Sequence, residues 1–182
     1  MCPVITTELQ ILLWIQDHLS SPVLDWFFVH YTHLGDKGLM WIAIGLFFLF
    51  QKNYRPLGAL ILLSLLGSLI VTNGILKNWI ARPRPYSVFP MDLLIDKNPE
   101  FSFPSGHTSA SFAAAWMIFI NKKRLGLYML VFAVLMGCSR LYLFMHYPTD
   151  VIGGAVVGIL IAEGIYWLYD WWRIKRLMKY NN

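Results

Sequence analysis

Three short polar clusters interrupt an otherwise apolar chain, and each carries residue types suited to handling phosphate. The first runs Lys77-Asn-Trp-Ile-Ala-Arg82-Pro-Arg84-Pro85, the second is Pro104-Ser105-Gly106-His107, and the third places Ser139-Arg140 ahead of His146 and Asp150. The planar guanidinium groups of Arg84 and Arg140 match phosphate oxygens in a fork, and Lys77 adds a point charge. Ser105-Gly106 stands where a helix is expected to begin. Free backbone N–H groups and the helix dipole favour an anion there, and glycine lets it approach closely. His146 and Asp150 are four apart across Tyr-Pro-Thr, a spacing that lets the carboxylate contact the imidazole and fix its tautomer. The other ring nitrogen is then left to attack. His107 is placed to give a proton to a leaving oxygen. An acid, an oriented nucleophile and a polycationic cradle suffice for phosphoryl transfer, where positioning and charge stabilisation do most of the catalysis. No Asp/Glu cluster accompanies them, so the expected chemistry uses no metal and no cofactor.

The elements that must position these clusters are membrane helices. Hydrophobic residues make up 57% of the 182 and charged residues only 14%. A soluble domain carries about a quarter charged residues. The apolar residues fall into long runs, which predicts an all-α polytopic bundle of five to six spanning helices. The five clear spans are about Gly38–Gln51, Leu57–Leu76, Thr108–Ile120, Leu125–Phe144 and Val151–Trp171. Residues 1–35 are too often polar for a clean span. Ser20-Ser21-Pro22 divides them into two amphipathic helices, with Ser21 as cap and Pro22 at the first helical position, expected to lie on the outer surface. The chain reads as one domain: interfacial helices over 1–35, a transmembrane core over 36–172 and a basic cytoplasmic tail over 173–182.

The net charge of +5 does not call for nucleic acid, because the basic residues fall between apolar runs. Lys52, Arg55, Lys122, Lys123, Arg124, Arg173, Lys175, Arg176 and Lys179 gather on one side. The positive-inside rule makes that side cytoplasmic and turns the three polar clusters outward. Cys2 and Cys138 are not expected to form a disulfide, and no cleavable signal peptide is visible.

The three clusters resemble the motifs of the type 2 phosphatidic acid phosphatases, a family related in its active site to acid phosphatases and vanadium haloperoxidases. The family pattern is a Lys, six residues, then Arg-Pro; Pro-Ser-Gly-His; and Ser-Arg, five residues, His, three residues, Asp. Lys77 to Arg84-Pro85, Pro104 to His107, and Ser139-Arg140 to His146 and Asp150 match it in full. The resemblance covers 77–150 by motif and about 57–170 by helical layout. It implies a six-helix core with the site at the outer leaflet of the plasma membrane and a phospho-histidine on His146 supported by Asp150. It also implies His107 as the acid, and Lys77, Arg84, Ser105, Gly106 and Arg140 as phosphate ligands. The implied substrate is a lipid phosphate in the membrane: first a polyprenyl (undecaprenyl) pyrophosphate, with phosphatidylglycerophosphate or phosphatidic acid as the alternative. A non-catalytic lipid-phosphate binding or transport protein would keep the cations but would not need His107 or the His146–Asp150 pair. A soluble vanadate-dependent oxidase is disfavoured by the apolar runs.

Other polar residues have plainer expected roles. Arg82 is expected to be an interfacial cation rather than a second phosphate ligand, and His30 and His33 to be interfacial rather than metal ligands. Glu163 lies within the last span, where it would pair with the basic tail or mark a helix contact. Gly154 and Gly158 offer close helix packing. The loop from Tyr86 to Glu100 is either a lid or a passive connection, and Trp167, Trp171 and Trp172 form an aromatic belt.

Overall fold

The computed structural model describes residues 3–180, so Cys2 lies outside the described residues. Among those residues every regular element is helical. Two amphipathic helices, α1 (Pro3–Leu19) and α2 (Pro22–Leu34), come first. The break between them is built as the sequence predicts: Pro22 opens α2 and the Ser21 hydroxyl accepts from Leu24 N at 3.4 Å. A short turn at Asp36–Gly38 leads into α3 (Leu39–Phe50). Next, α4 (Arg55–Ser68) continues through a π-helical stretch, Leu69–Leu76, into α5 (Lys77–Ile80). The short α6 (Pro85–Val88) precedes a long polar loop. The chain ends with α7 (Gly106–Asn121), α8 (Lys123–Tyr142) and α9 (Pro148–Tyr180). Helix α9 runs unbroken through the basic residues after 172, so the expected tail is its last turns.

Three stretches are long and apolar enough to cross a bilayer: Lys52–Val88, Lys123–Tyr142 and Pro148–Lys179. Pro22–Leu34 with Asp36–Phe50 makes a fourth if that pair, bent by 47°, counts as one span. A count of five or six depends on α3 and α7, whose 12 and 16 residues fall short of the ~20 a hydrocarbon core requires.

Helix α7 is the centre of the bundle, packed against α4, α8 and α9. Its buried face carries Ala113, Ala114 and Ala115, small enough for neighbouring backbones to close in. Gly154 and Gly158 complete the fit from α9. A methyl at Gly158 would stand 2.3 Å from the Ser109 carbonyl oxygen, and one at Gly154 2.6 Å from that of Ser105. Hydrogen bonds tie the same helices: Ser109 reaches Ser68 and Thr72, each at 2.8 Å, and Trp41 Nε1 donates to Ser111 at 2.9 Å. Glu163 does mark a helix contact, accepting from Trp116 Nε1 at 2.7 Å. Leu63, Leu127, Val131, Val156 and Leu160 face outward, as lipid contact demands.

Helices α1 and α2 pack on α8. Tyr142 donates to Asp25 at 2.5 Å and Tyr31 to the Phe132 carbonyl at 2.6 Å. The antiparallel bundle brings the ends of α5 and α8 and the starts of α7 and α9 to one end of the molecule. The nine basic residues counted above gather at the other.

Candidate active site

Each site residue sits where a helix starts or stops. The π-helical stretch has a wider turn than an α-helix, so residues four and five apart share a face. Ser68, Thr72 and Lys77 accordingly all point inward and are buried. Ala81, in left-handed conformation at φ 49°, stops α5 and turns the chain toward Arg82 and Arg84. The Ser105 hydroxyl caps α7, accepting from Thr108 N at 3.4 Å, and Ser105 N donates to the Asp150 carbonyl at 3.0 Å. That bond links the second cluster to the third. A methyl on Gly106 would meet the end of the Asn73 side chain at 2.9 Å, so Asn73 would have to shift to admit one.

All eight residues picked from the sequence converge on this end. His146 is 1% exposed and Asp150 fully buried. His146 Nδ1 lies 3.5 Å from Asp150 Oδ2 and 3.4 Å from Ser102 Oγ, while Arg84 Nη1 approaches Nε2 at 3.3 Å. Arg84 can only donate, so Nε2 is the unprotonated nitrogen and Nδ1 carries the hydrogen. Asp150 is itself held on both oxygens. Oδ2 accepts from Tyr147 N at 2.9 Å and from the Ser102 hydroxyl, and Oδ1 accepts from Arg82 Nη1 at 2.6 Å. Burial drives the His146 pKa well below the ordinary imidazole value, and the nearby charges of Arg84, Arg140 and Lys77 push the same way.

The cations form the cradle. Arg84, 3% exposed, donates to the backbone carbonyls of Glu100 at 2.7 Å and Met145 at 3.0 Å. Arg140 donates to Thr32 Oγ1 at 2.5 Å, and its buried Nε has no hydrogen-bond partner. A buried guanidinium nitrogen left open in this way suits an anion. Lys77 is paired with the Glu100 carboxylate. Burial would raise the Glu100 pKa, but the hydrogen bond and charge of Lys77 with the charge of Arg84 outweigh it and hold the group below its ordinary value.

His107 stands across the cradle in wetter surroundings. Its side chain is 19% exposed, and Nε2 donates to Asp36 Oδ1 at 2.9 Å; the other Asp36 oxygen meets His33 Nδ1 at 2.8 Å.

Two cavities meet at Asp36, Asn98 and His107. One, about 820 Å³, has a polar end at Lys77, Arg84, His107 and His146 and an apolar wall of Ile42, Leu62, Leu65, Leu66 and Leu69. The other, about 470 Å³, is lined by Thr32, His33, Asp36, Asp96, Asn98 and Arg140 among others.

Some roles differ from the sequence expectation. Arg82 is neither an interfacial cation nor a phosphate ligand, because both ends of its fork are committed to carboxylates, Asp150 and Glu8. His33, 57% exposed, is in addition tied through Asp36 to His107. The Tyr86–Glu100 loop is more than a passive connection, since it delivers Glu100 to Lys77 and lines both cavities. The sequence reading missed Glu8, Thr32, Asp36, Glu100 and Ser102. Only Glu8 left a signal: it shares the inward spacing of Leu12 and Gln16 on α1.

Residues 58–174 match the model of the PAP2 superfamily. A protein of Bacillus subtilis (strain 168) named phosphatidylglycerophosphatase B is 33% identical over 159 residues, 79% of this chain and 74% of that one. One named undecaprenyl-diphosphatase BcrC, from the same organism, is 33% identical over 93 residues, covering 51% of this chain and about half, 48%, of that relative. The crystal structure of a transmembrane PAP2-type phosphatidylglycerolphosphate phosphatase from Bacillus subtilis superimposes with a TM-score of 0.76 at 29% identity, over 93% of this chain and 88% of that one.

Proposed function

This chain belongs to the PAP2 superfamily and is a membrane lipid phosphatase, and from that premise we propose that it works through a phospho-histidine on His146, without metal. The observation that carries the reading is the hydrogen-bond pattern of His146: Nδ1 faces Asp150 and Ser102, and the unprotonated Nε2 faces the cationic cavity. A terminal phosphate seated on Lys77, Arg84, Arg140 and the start of α7 brings its phosphorus to Nε2. Arg84 moves from Nε2 onto a phosphate oxygen as it binds. The Nε2 lone pair forms the N–P bond, the P–O bond to the lipid breaks, and His107 gives its proton to the departing oxygen. Burial and the charge of Arg140 lower the His107 pKa, and the hydrogen bond and charge of Asp36 orient the ring and partly offset that loss. Water then attacks the phospho-histidine and returns a proton to His107, and inorganic phosphate leaves.

The apolar wall of the larger cavity offers a place for a lipid chain beside the head group. The site is assigned to the extracytoplasmic face of the plasma membrane, because the nine basic residues lie at the opposite end of the bundle. Two head groups stand. A polyprenyl diphosphate, the substrate type in the name of one relative, puts a second phosphate near His107, where Asp36 repels it. A glycerol phosphate puts hydroxyls there, and the carboxylates of Asp36 and Asp96 accept from them. The longer alignment with phosphatidylglycerophosphatase B favours the glycerol head group. The test is phosphate release by purified protein, with EDTA present, from polyprenyl pyrophosphate, phosphatidylglycerophosphate and phosphatidic acid. Turnover should survive the chelator, with the glycerol head group highest in kcat/KM. Loss of turnover on chelation removes the metal-free mechanism, and a preference for the pyrophosphate reverses the head-group assignment.

A further inference from the structure

We infer that Glu8, acting through Arg82, is a positioning residue for the His146–Asp150 pair, which makes the first helix part of the active site. The inference rests on the reading of His146 as nucleophile. Glu8 is 4% exposed, and no buried carboxylate is tolerated without partners. Its partners all belong to the catalytic corner. Oε2 accepts from Arg82 Nη2 at 2.5 Å, and Oε1 accepts from Thr149 N at 2.8 Å and Thr149 Oγ1 at 2.6 Å. The last two bonds place the carboxylate at the amino end of α9, one residue before Asp150, where the helix dipole favours it.

Arg82 carries the link onward. Its Nη1 donates to Asp150 Oδ1 at 2.6 Å and to Thr149 Oγ1 at 2.7 Å, and its guanidinium lies 4.0 Å over the Tyr147 ring. Its carbonyl accepts from Ser102 N at 2.8 Å, and the Ser102 hydroxyl donates to the other Asp150 oxygen. Arg82 therefore fixes Asp150 from two directions.

The charge count explains what Glu8 adds. Arg82 and Asp150 alone form a neutral pair, and a neutral pair behind the imidazole is a poor partner for positive charge. With Glu8 the cluster carries a net charge of −1. The imidazole becomes cationic as Nε2 bonds to phosphorus, and a fixed negative charge on the Nδ1 side stabilises that change. Glu8 also shares the pull of Arg82, leaving Asp150 a stronger acceptor for Nδ1–H. Helix α1 is docked to hold this register. Leu12, one turn on, is fully buried, and Gln16 Nε2, two turns on, donates to the Tyr142 carbonyl at 2.5 Å. Glu8 lies outside the matched stretch 58–174, so the family motifs do not include it.

The test uses the full-length detergent-purified protein with a lipid phosphate and with p-nitrophenyl phosphate. Glu8→Gln keeps the shape and removes the charge. Its kcat should fall ~10–100-fold, the range seen when residues supporting a site's ligands are replaced. KM should stay within about twofold, as for an interaction made only in the transition state. The loss should be equal on the two substrates, because formation of the N–P bond is common to both. Glu8→Asp, which keeps the charge, should recover part of the rate. A wild-type kcat in Glu8→Gln, a change confined to KM, or equal damage in Glu8→Asp would overturn the inference. If Glu8→Gln is not recovered folded, Arg82→Lys decides, since an ammonium cannot bridge both carboxylates in the same fork; a wild-type kcat there overturns it equally. His146→Ala separates the two claims. If it retains turnover, the nucleophile reading fails. If it is dead while Glu8→Gln is fully active, only the role of Glu8 fails.

Discussion

The two histidines of the site sit in opposite kinds of surroundings. His146 is 1% exposed, and its carboxylate partner Asp150 is fully buried and fixed by Ser102, Tyr147 N and Arg82. His107 has a 19% exposed side chain, its partner Asp36 is 46% exposed, and His33 beyond it is 57% exposed. A nucleophile must present one nitrogen in one tautomer, so a dry, over-determined corner serves it. An acid that gives up a proton and regains one from water in each cycle needs a path to water. His107 meets the cavity on its exposed side, whereas His146 reaches the same cavity only through Nε2 and is enclosed on the Nδ1 side.

The comparison breaks if the two histidines prove interchangeable. His146→Ala should lower turnover by ~10⁴-fold or more on every phosphate ester, as removal of a nucleophile does elsewhere. His107→Ala should cost ~10²–10⁴-fold on a lipid ester, the usual range for a lost general acid. In kcat/KM, which ends at phosphorylation of His146, the same variant should lose far less on p-nitrophenyl phosphate, whose phenolate leaves without a proton. Phosphate release on the two substrates measures the contrast, and equal losses for His107→Ala would remove it as the acid.

Asp36→Asn sharpens the same contrast at a smaller scale. The amide still accepts a hydrogen bond but no longer favours the protonated ring, so kcat on the lipid ester should fall ~10-fold, the low end for a supporting residue. On p-nitrophenyl phosphate kcat/KM should be unchanged. The Glu8→Gln loss, by contrast, is equal on both substrates, so the pattern across the pair tells which histidine each carboxylate serves.

The pH profile should report the dry corner. The His146 pKa is depressed, chiefly by burial and then by the surrounding cations. The ring therefore remains a neutral nucleophile below the ordinary imidazole pKa of about 6.5. The acid limb of kcat/KM assigned to His146 should lie below that value. A depressed folded pKa also means that the native state binds this proton less readily than the unfolded chain. Its contribution to stability is complete above about 6.5 and is lost as pH falls through the folded value. An acid limb at or above 6.5 would mean that His146 is hydrated.

Much of this was legible in the sequence, for identifiable reasons. The motif residues carry their signal in fixed short spacings, such as the four-residue step from His146 to Asp150. The apolar runs fall on α3 to α5 and α7 to α9 within a few residues, and Ser21-Pro22 marks a real helix start. The partners of the carboxylates behind the histidines left little trace. Asp150 meets a residue 68 positions earlier in Arg82, and Asp36 meets one 71 positions later in His107. Such pairings depend on how helices dock, and periodicity does not encode that. An acid on an amphipathic helix, such as Glu8, reads as solvent-facing unless its register with Leu12 is followed into the fold. The π-helical stretch was invisible for a different reason: apolar residues at its edges fit either turn.

The smallest effect concerns the cradle between the two histidines. Lys77 is paired with Glu100 on the loop over the site, and a phosphate oxygen must compete with that carboxylate for the ammonium. Arg84 is held by the Glu100 backbone carbonyl instead, and no side-chain change disturbs that bond. Glu100→Gln therefore frees one cation and leaves the other in place. The pair is half-exposed on its Glu side, with 48% of the Glu100 side chain accessible, so its worth is that of a screened ion pair, about 1 kcal/mol or less. Removing this competition should lower KM by at most about fivefold, since 1.4 kcal/mol is a factor of ten. Neither Glu100 nor its amide replacement touches His146 or His107, so kcat should stay within about twofold. Steady-state kinetics at low ionic strength, where the pair is strongest, give the clearest reading. If KM rises instead, Glu100 holds Lys77 in place for the phosphate rather than competing with it.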